Sequence, residues 1–175
     1  MDQQNIDKVI SNYLSKNIKF SDENIFAAKL SLLDTLGCIY NASTYDDPMR
    51  FATRDVYGAN TNPFNVLRDM QSSGEMARYF TILTRWFDYN DTFLAKEWAH
   101  PSDNIGTAFA YFTNHKEKNI SEFLQSIIQM YEIQGCLALG TSLNKKGYDH
   151  VFYVKLASGA VYSSLLSDQN PESIS

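Results

Sequence analysis

Apolar residues in this chain recur at the spacing of one-faced helices. Between residues 4 and 16 they stand at i, i+3, i+4, i+7 and i+8, the pattern of a helix that packs one side on a core. Ser21 precedes Asp22 and Glu23, and a capping hydroxyl before first-turn acids favours a helix start. The helix predicted there runs to about Tyr40. It is apolar nearly all round, so we expect it to lie centrally.

Five further segments have helical spacing and are separated by turn-forming residues. We expect Ser121 to cap the longest of them, and Trp86 and Phe87 to lie on the buried side of the second. The last segment begins with VFYV, which taken alone also fits a strand. The sequence therefore predicts an all-α, multi-helix domain of seven or eight helices that spans residues 1–175. The five segments are residues 48–58, 74–87, 105–112, 121–143 and 151–166.

Length, hydropathy and charge exclude several classes of protein. The 175 residues make one ordinary domain, and no apolar run approaches the roughly 20 residues that a membrane helix needs. The net charge is −5 and the Lys and Arg residues are scattered, whereas a nucleic-acid binder clusters its cations. The polar start, MDQQNIDKVI, has neither the apolar region of a secretory signal nor the basic character of a transit peptide. We therefore expect a cytoplasmic protein.

Cysteines, glycines and histidines lack the spacing of common cofactor sites. Cys38 and Cys136 both stand in apolar helical segments, which predicts reduced core residues rather than a disulfide or an iron–sulfur site. No glycine-rich phosphate loop follows a predicted strand, so a nucleotide cofactor is not expected. Asp88, Asp91 and His100 are possible metal ligands, but a pair of histidines at i, i+4 is absent. We therefore predict neither a cofactor nor a metal.

The stretch from residue 85 to 104, RWFDYNDTFLAKEWAHPSDN, carries the candidate chemistry. It crowds acids, a threonine and a histidine between two apolar helical segments, and loops of that composition are often functional. His100, with carboxylates and aromatic rings close in sequence, has the side chain of a general acid or base. The alternative is structural, with His100 and Pro101 in a turn and Asp88 at a helix end.

The same region offers two ways to bind an anion. If Ser102 and Asp103 cap the next helix, free N–H groups at its start form a seat for a carboxylate, although an ordinary cap needs no ligand. Arg85 and Lys96 are the cations nearest to the motif. Further cations flank the turn that ends in His150, namely Lys145, Lys146 and Lys155. Lysines in turns are commonly only solvated, so these are weaker candidates.

Three long blocks of the chain resemble one known family. They are AKLSLLDTLGCIYNA at 28–42, DYNDTFLAKEWAHPSDNIGTAFA at 88–110 and YEIQGCLALGTSLNKKGYDHVFYVKLASGAV at 131–161. In this order they resemble the 2-methylcitrate dehydratase branch of the MmgE/PrpD family, which also contains cis-aconitate decarboxylase. The resemblance implies the N-terminal part of the family's large helical domain, with an active site between that domain and a smaller α/β lid. It also implies activity without an iron–sulfur cluster.

The resemblance also implies roles for individual residues. Asp88, Thr92 and His100 match the family's D-x-x-x-T loop with its following His-Pro, and His150 in GYDH matches the second active-site histidine. The two histidines would exchange protons with the substrate, and Asp88 would orient an imidazole. Thr92 and the helix start at Ser102 would hold substrate carboxylates. The extra residues in FLAKEWAH, relative to the shorter decarboxylase loop, favour the dehydratase branch.

The implied reaction is loss of water from (2S,3S)-2-methylcitrate to give 2-methyl-cis-aconitate. It is a hydro-lyase step of propionate catabolism in the methylcitrate cycle. A tricarboxylate substrate would need two or three cations, for which Arg85 and Lys96 are the candidates. The resemblance also implies that full-length members form homodimers, so a second copy of the chain is an expected partner.

The end of the sequence resembles the first turn of another helix. Pro171 and Glu172 follow Asp168 and Asn170, a pattern typical of a capped helix start. We therefore expect the sequence to be the N-terminal portion of something longer. Two interpretations follow: a part of a lyase that works when joined to, or complemented by, a C-terminal fragment, or a helical interaction module without catalysis.

Overall fold

Seven α-helices make up the fold in the part of the chain that the computed structural model describes, residues 5–167. Two strands of two residues, β1 (Phe93–Leu94) and β2 (Trp98–Ala99), pair antiparallel between the fourth and fifth helices. The predicted all-α fold is confirmed, and VFYV is helical rather than a strand. The predicted helix start at residues 171–174 lies outside the described residues. The helices are α1 (Ile6–Leu14), α2 (Asp22–Ala42), α3 (Asp46–Thr53), α4 (Ser73–Arg85), α5 (Ile105–Asn114), α6 (Ile120–Gly140) and α7 (Val151–Ser167).

Helix starts follow the capping chemistry of the sequence, with one shift. Ser21 caps α2 as predicted, because its hydroxyl accepts from the Asn24 N–H group and the Asn24 side-chain oxygen accepts from the Ser21 N–H group. The prediction that Ser121 caps α6 is wrong. Asn119 is the cap, since its side chain accepts from two N–H groups and Glu122 bonds back to the Asn119 N–H. This reciprocal pair satisfies two otherwise unpaired donors, which a cap at Ser121 would not do.

Two helix ends also differ from the predicted ones. The third helix stops at Thr53 rather than Gly58, because Arg54 and Asp55 both take left-handed backbone conformations. The long helix α6 stops at Gly140, before the predicted end at residue 143.

The core consists of two apolar clusters that meet at Phe109. One cluster lies among α2, α3 and α4, and the other among α5, α6 and α7 with Ala28 of α2, while Phe109 packs against both. The first is built around Ile39, Met49, Tyr79, Phe80 and Leu83, and the second around Ile105, Ala108, Leu124, Ile127, Met130, Ala157 and Val161. The two clusters fix α4 and α5 against each other, and the candidate motif connects these two helices.

The second helix is not central, contrary to the prediction. Phe26, Leu30 and Leu33 on α2 are between 51% and 67% exposed. A stripe that includes Ala28, Cys38 and Ile39 is the part of the helix that is buried. Apolar residues occur all round α2, but in the described structure α4 and α6 cover one side of it. The hydrophobicity of α2 therefore did not predict how much of its surface is buried.

Three more residues are less buried than their sequence context predicted. Trp86 and Phe87 are each 37% exposed, because α4 ends at Arg85 and the chain turns away from the core there. Cys136 lies exposed on α6, whereas Cys38 is buried as predicted. No helix within residues 5–167 is long and apolar enough to cross a membrane.

The close approach of α5 to α4 depends on Gly106. A Cβ atom there would lie 2.5 Å from the Thr81 hydroxyl and 2.8 Å from the Ala77 carbonyl oxygen. Gly106→Ala should therefore lower the free energy of unfolding by about 1–3 kcal/mol, measured by urea denaturation, because α5 must shift. Gly159→Ala is the matched control, since nothing lies near its Cβ position and alanine favours a helix by about 0.5–1 kcal/mol. Equal effects of both substitutions would contradict this account.

Candidate active site

Asp91, just before the hairpin that β1 and β2 form, holds the side chain of His100. Its Nδ1 lies 2.6 Å from the Asp91 carbonyl oxygen, and the Asp91 carboxylate accepts from the Ser102 N–H group at 3.0 Å. A carbonyl oxygen can only accept, so in the neutral ring Nδ1 carries the hydrogen and Nε2 is the nitrogen free to take a proton. That Nε2 lies 3.8 Å from the Asp88 carboxylate. Asp91 therefore orients the imidazole of His100 as a base would require.

Trp98 brings the two predicted histidines together. Its indole contacts the His100 ring edge-on, with ring centroids 5.5 Å apart, and the His150 ring at 3.9 Å. His150 comes from the turn before α7, so the contact joins the hairpin to a segment about fifty residues later. Asp149 lies 3.3 Å from Nδ1 of His150. His100 and His150 therefore both contact the indole ring of Trp98.

Asp88 and Arg85 form the exposed side of the same cluster. Asp88 has a left-handed backbone conformation, φ 59°, which is uncommon for a residue with a side chain. Its N–H bonds the Arg85 carbonyl oxygen at 3.1 Å in the turn that follows α4, so Asp88 lies next to a helix end, as in the structural alternative. The Arg85 guanidinium donates to the Asp88 carboxylate. Asp88 therefore has both features, a helix-ending conformation and a carboxylate between Arg85 and His100.

Asp103 is a buried acid that sequence reasoning treated only as a helix cap. Its side chain is 9% exposed and lies 3.8 Å from Nε of Arg85, while the Asn90 amide donates to it at 3.2 Å. Burial raises the pKa of Asp103 to about 6, against the lowering effects of Arg85, His100 and Asn90. The sequence signal for a buried Asp103 was its position between His100-Pro101 and an apolar helix. That position did not identify Arg85 and Asn90 as its partners, because they lie 18 and 13 residues earlier in the chain.

The predicted carboxylate seat at the start of α5 is filled by the chain itself. Ser102 does not cap the helix, because Pro101–Asn104 form a 3-10 turn and the Ser102 hydroxyl accepts from Asn90 at 2.7 Å. The Ser102 N–H is bound by Asp91, and the Ile105 N–H bonds the Ser102 carbonyl oxygen. The prediction of free N–H groups here is therefore wrong. Ser102 is buried, and its two hydrogen bonds tie the turn to Asn90 and Asp91. Its role as a substrate ligand stays a prediction.

Two more predicted ligands, Thr92 and Lys96, lie on the hairpin. Thr92 is exposed. Lys96 extends to the C-terminal end of α6, where its ammonium donates to the Gly140 carbonyl oxygen at 3.3 Å. This contact is favourable, because helix C-termini attract cations, and it draws Lys96 to α6. The roles of both residues in substrate binding stay predictions.

Glu97 fixes the hairpin to the end of α6. It is 2% exposed, and its carboxylate accepts from the Ser142 hydroxyl at 3.0 Å and from the backbone and side-chain N–H groups of Asn144 at 2.8 and 2.9 Å. Burial acts to raise the pKa of Glu97, but these hydrogen bonds outweigh it and hold the pKa below its ordinary value. Glu97 is therefore structural. In residues 5–167, no group of three or more His, Cys, Asp or Glu side chains is arranged to hold a metal.

Glu97→Ala should destabilise the chain, because Ser142 and Asn144 would lose a buried acceptor. We expect a loss of about 2–4 kcal/mol in the free energy of unfolding, measured by urea denaturation near neutral pH. Glu97→Gln keeps one acceptor oxygen and should lose less. Similar stabilities for the parent and Glu97→Ala would contradict the role of this carboxylate.

The effect of Asp103→Asn on the free energy of unfolding should be more favourable at neutral pH than at acid pH. An acid with a raised folded pKa holds a proton that the unfolded chain releases, so the free energy of unfolding falls as pH rises to about 6. The amide side chain of the variant has no such proton to lose. We expect the difference between variant and parent to be about 1–3 kcal/mol more favourable to the variant at pH 7.5 than at pH 4.5.

Urea unfolding at the two pH values measures this difference. Asp55→Asn, at an exposed surface ion pair with Arg50, is the control and should show little change between them. If the stability of the variant relative to the parent is lower at pH 7.5 than at pH 4.5, ionising the buried Asp103 carboxylate does not destabilise the fold, and the prediction is wrong.

Comparison with known proteins identifies the family. The sequence profile of the MmgE/PrpD N-terminal domain matches residues 8–174. A probable 2-methylcitrate dehydratase of Saccharomyces cerevisiae is 33% identical, over 99% of this chain and 37% of its own length. The 2-methylcitrate dehydratases of Cupriavidus necator and Escherichia coli K12 are 38% and 34% identical, over 79% and 92% of this chain and 31% and 35% of theirs. The chain spans about a third of the length of these relatives, and it belongs to the MmgE/PrpD family.

Proposed function

We propose that this chain supplies the histidine-bearing, N-terminal part of a hydro-lyase site that acts on 2-methylcitrate. The observation that carries the proposal is the meeting of His100 and His150 on Trp98, with Asp88 and Arg85 at the edge. The names of the relatives add the substrate and reaction. The product would be 2-methyl-cis-aconitate.

The chemistry requires a base, an acid and a group that accepts negative charge. The proton on a carbon next to a carboxylate is very weakly acidic, so its removal needs a well-oriented base and charge stabilisation. Nε2 of His100 would take this proton, and the Asp88 carboxylate would stabilise the imidazolium that forms. The electron pair makes the carbon–carbon double bond as the carbon–oxygen bond breaks. His150 would then give a proton to the departing hydroxide, which leaves as water.

Substrate binding would begin with Arg85, whose guanidinium lies at the edge of the cluster. Thr92, exposed on the hairpin, would add a hydroxyl donor to a substrate carboxylate. The remaining wall of the site would come from a C-terminal segment, a complementing fragment or a second copy of the chain. A cytoplasmic location and the absence of a cofactor stay predictions.

The proposal is tested by assaying three preparations on 2-methylcitrate. They are the chain alone, the chain mixed with the C-terminal remainder of the E. coli relative, and a chimera in which this chain replaces the matching segment of that relative. Formation of the conjugated double bond is followed by ultraviolet absorbance. We expect little or no turnover from the chain alone and clear turnover from the chimera.

Substitutions then test the named residues in the chimera. His100→Asn should lower turnover by about 10²–10⁴-fold, the usual contribution of a general base. His115→Asn is the control, because His115 stacks on Tyr111 away from the cluster. Normal turnover with His100→Asn would contradict the base assignment. Carbon dioxide release from cis-aconitate would instead indicate the decarboxylase reaction, and inactivity in every context would support a helical interaction module.

A further inference from the structure

Arg85 has two kinds of carboxylate partner. Asp88 is 70% exposed at its side chain and faces solvent, whereas Asp103 is 9% exposed and lies behind the guanidinium. Exposed ion pairs are weak and easily exchanged, whereas a buried charge is costly to leave unpaired. Arg85 donates a hydrogen bond to Asp88, whereas its contact with Asp103, 3.8 Å from Nε to Oδ2, is an ion pair without a direct hydrogen bond. Because Asp103 is buried, it is the partner that stays with Arg85, and the exposed Asp88 is the partner that a ligand can displace.

Asn90 completes a closed arrangement with these two residues. Its amide oxygen accepts from Arg85 at 3.3 Å, and its amide nitrogen donates to Asp103 at 3.2 Å and to Ser102 at 2.7 Å. Asn90 is 3% exposed. Each member is thus held by the other two, and the backbone of Asp103 is held in turn because its carbonyl oxygen accepts from the Thr81 hydroxyl at 3.1 Å.

We propose that Asp103 is a positioning residue which, with Asn90, fixes the guanidinium of Arg85 beside His100 so that Arg85 can bind a substrate carboxylate. The substrate part of this statement rests on the proposed function. The carboxylate of Asp88 occupies the outer side of the guanidinium in the free chain. A substrate carboxylate of the same charge and shape replaces it there, while Asp103 and Asn90 keep the inner side in place.

The burial of Asp103 supports this role. A buried carboxylate with a pKa raised to about 6 is costly to ionise, and residues kept in that condition cluster at functional sites. The charged and titratable groups that face it are Arg85, His100 and Asp91. Of these, Arg85 reaches both the buried acid and the exposed edge of the cluster.

The test follows the Nε–H group of Arg85 by nitrogen-15 NMR in the full chain, which has five arginines. In the parent at pH 7.5 this group should exchange slowly with water. Asp103→Asn should speed its exchange by about tenfold or more, because the guanidinium loses its ionic anchor. Asp88→Asn is the matched control and should leave the exchange nearly unchanged. Unchanged exchange in folded Asp103→Asn would overturn the proposal.

A change of pH gives the same test without a substitution. Lowering the pH from 7.5 to 5 protonates Asp103 in the parent and should speed Arg85 exchange, relative to the pH dependence seen at the exposed Arg68. The Asp103→Asn chain should show no such extra change. This comparison separates Asp103 from His100 and Asp91, which both chains retain. An equal extra change in both chains would overturn the role of Asp103.

Titration with citrate and 2-methylcitrate tests the second half of the proposal, in the chimera that supplies the rest of the site. Calorimetry should show that the parent chimera binds 2-methylcitrate, and Asp103→Asn should weaken that binding by about tenfold or more. Equal binding by both chimeras, with turnover of 2-methylcitrate by the parent chimera, would overturn the link between Asp103 and recognition but not the proposed function. If Asp103 orders Arg85 but neither chimera binds a tricarboxylate, positioning is supported, and both the recognition half and the proposed substrate class are contradicted.

Discussion

The fold around the candidate site depends on burying a polar turn, Pro101–Asn104, where α4, α5, α6 and α7 meet. Buried polar groups are costly unless they are hydrogen-bonded. Asn104 is fully buried, and its amide donates to the Pro101 carbonyl oxygen and to Gln134 on α6, while its oxygen accepts from Ser158 on α7 at 2.7 Å. These partners are specific in position, so the turn fixes how α6 and α7 approach α5.

The position of His100 follows from the same turn. His100 immediately precedes Pro101, and its ring and the Ser102 N–H are both bound by Asp91. Glu97 then fixes the other side of the hairpin to the segment after α6. Trp98 lies between these two attachments and is thereby placed against His150. The geometry of the histidines is therefore a consequence of satisfied buried hydrogen bonds at both ends of a short hairpin.

Periodicity and capping residues predicted most of the helices, because both signals are local. Ser21 and the apolar spacing of α1, α4 and α7 depend on neighbours within one or two turns. The depth of α2 could not be predicted in this way, since it depends on which helices cover each side. The roles of Glu97 and Asp103 were missed for the same reason. Glu97 meets partners more than forty residues away, and Asp103 was interpreted as a cap because its buried neighbours, Arg85 and Asn90, precede the hairpin.

Charge around the histidines limits what this chain can do by itself. Among the described residues of the cluster, Arg85 supplies the guanidinium, and it is shared between Asp88 and Asp103. Lys96 donates to the end of α6 instead. A tricarboxylate carries more negative charge than one shared guanidinium can balance, and the chain as a whole is acidic, with a net charge of −5. If 2-methylcitrate is the substrate, cations beyond Arg85 are needed. Their candidate sources are Lys145, Lys146 and Lys155, which flank His150 in sequence, and the part of the longer relatives that this chain does not span.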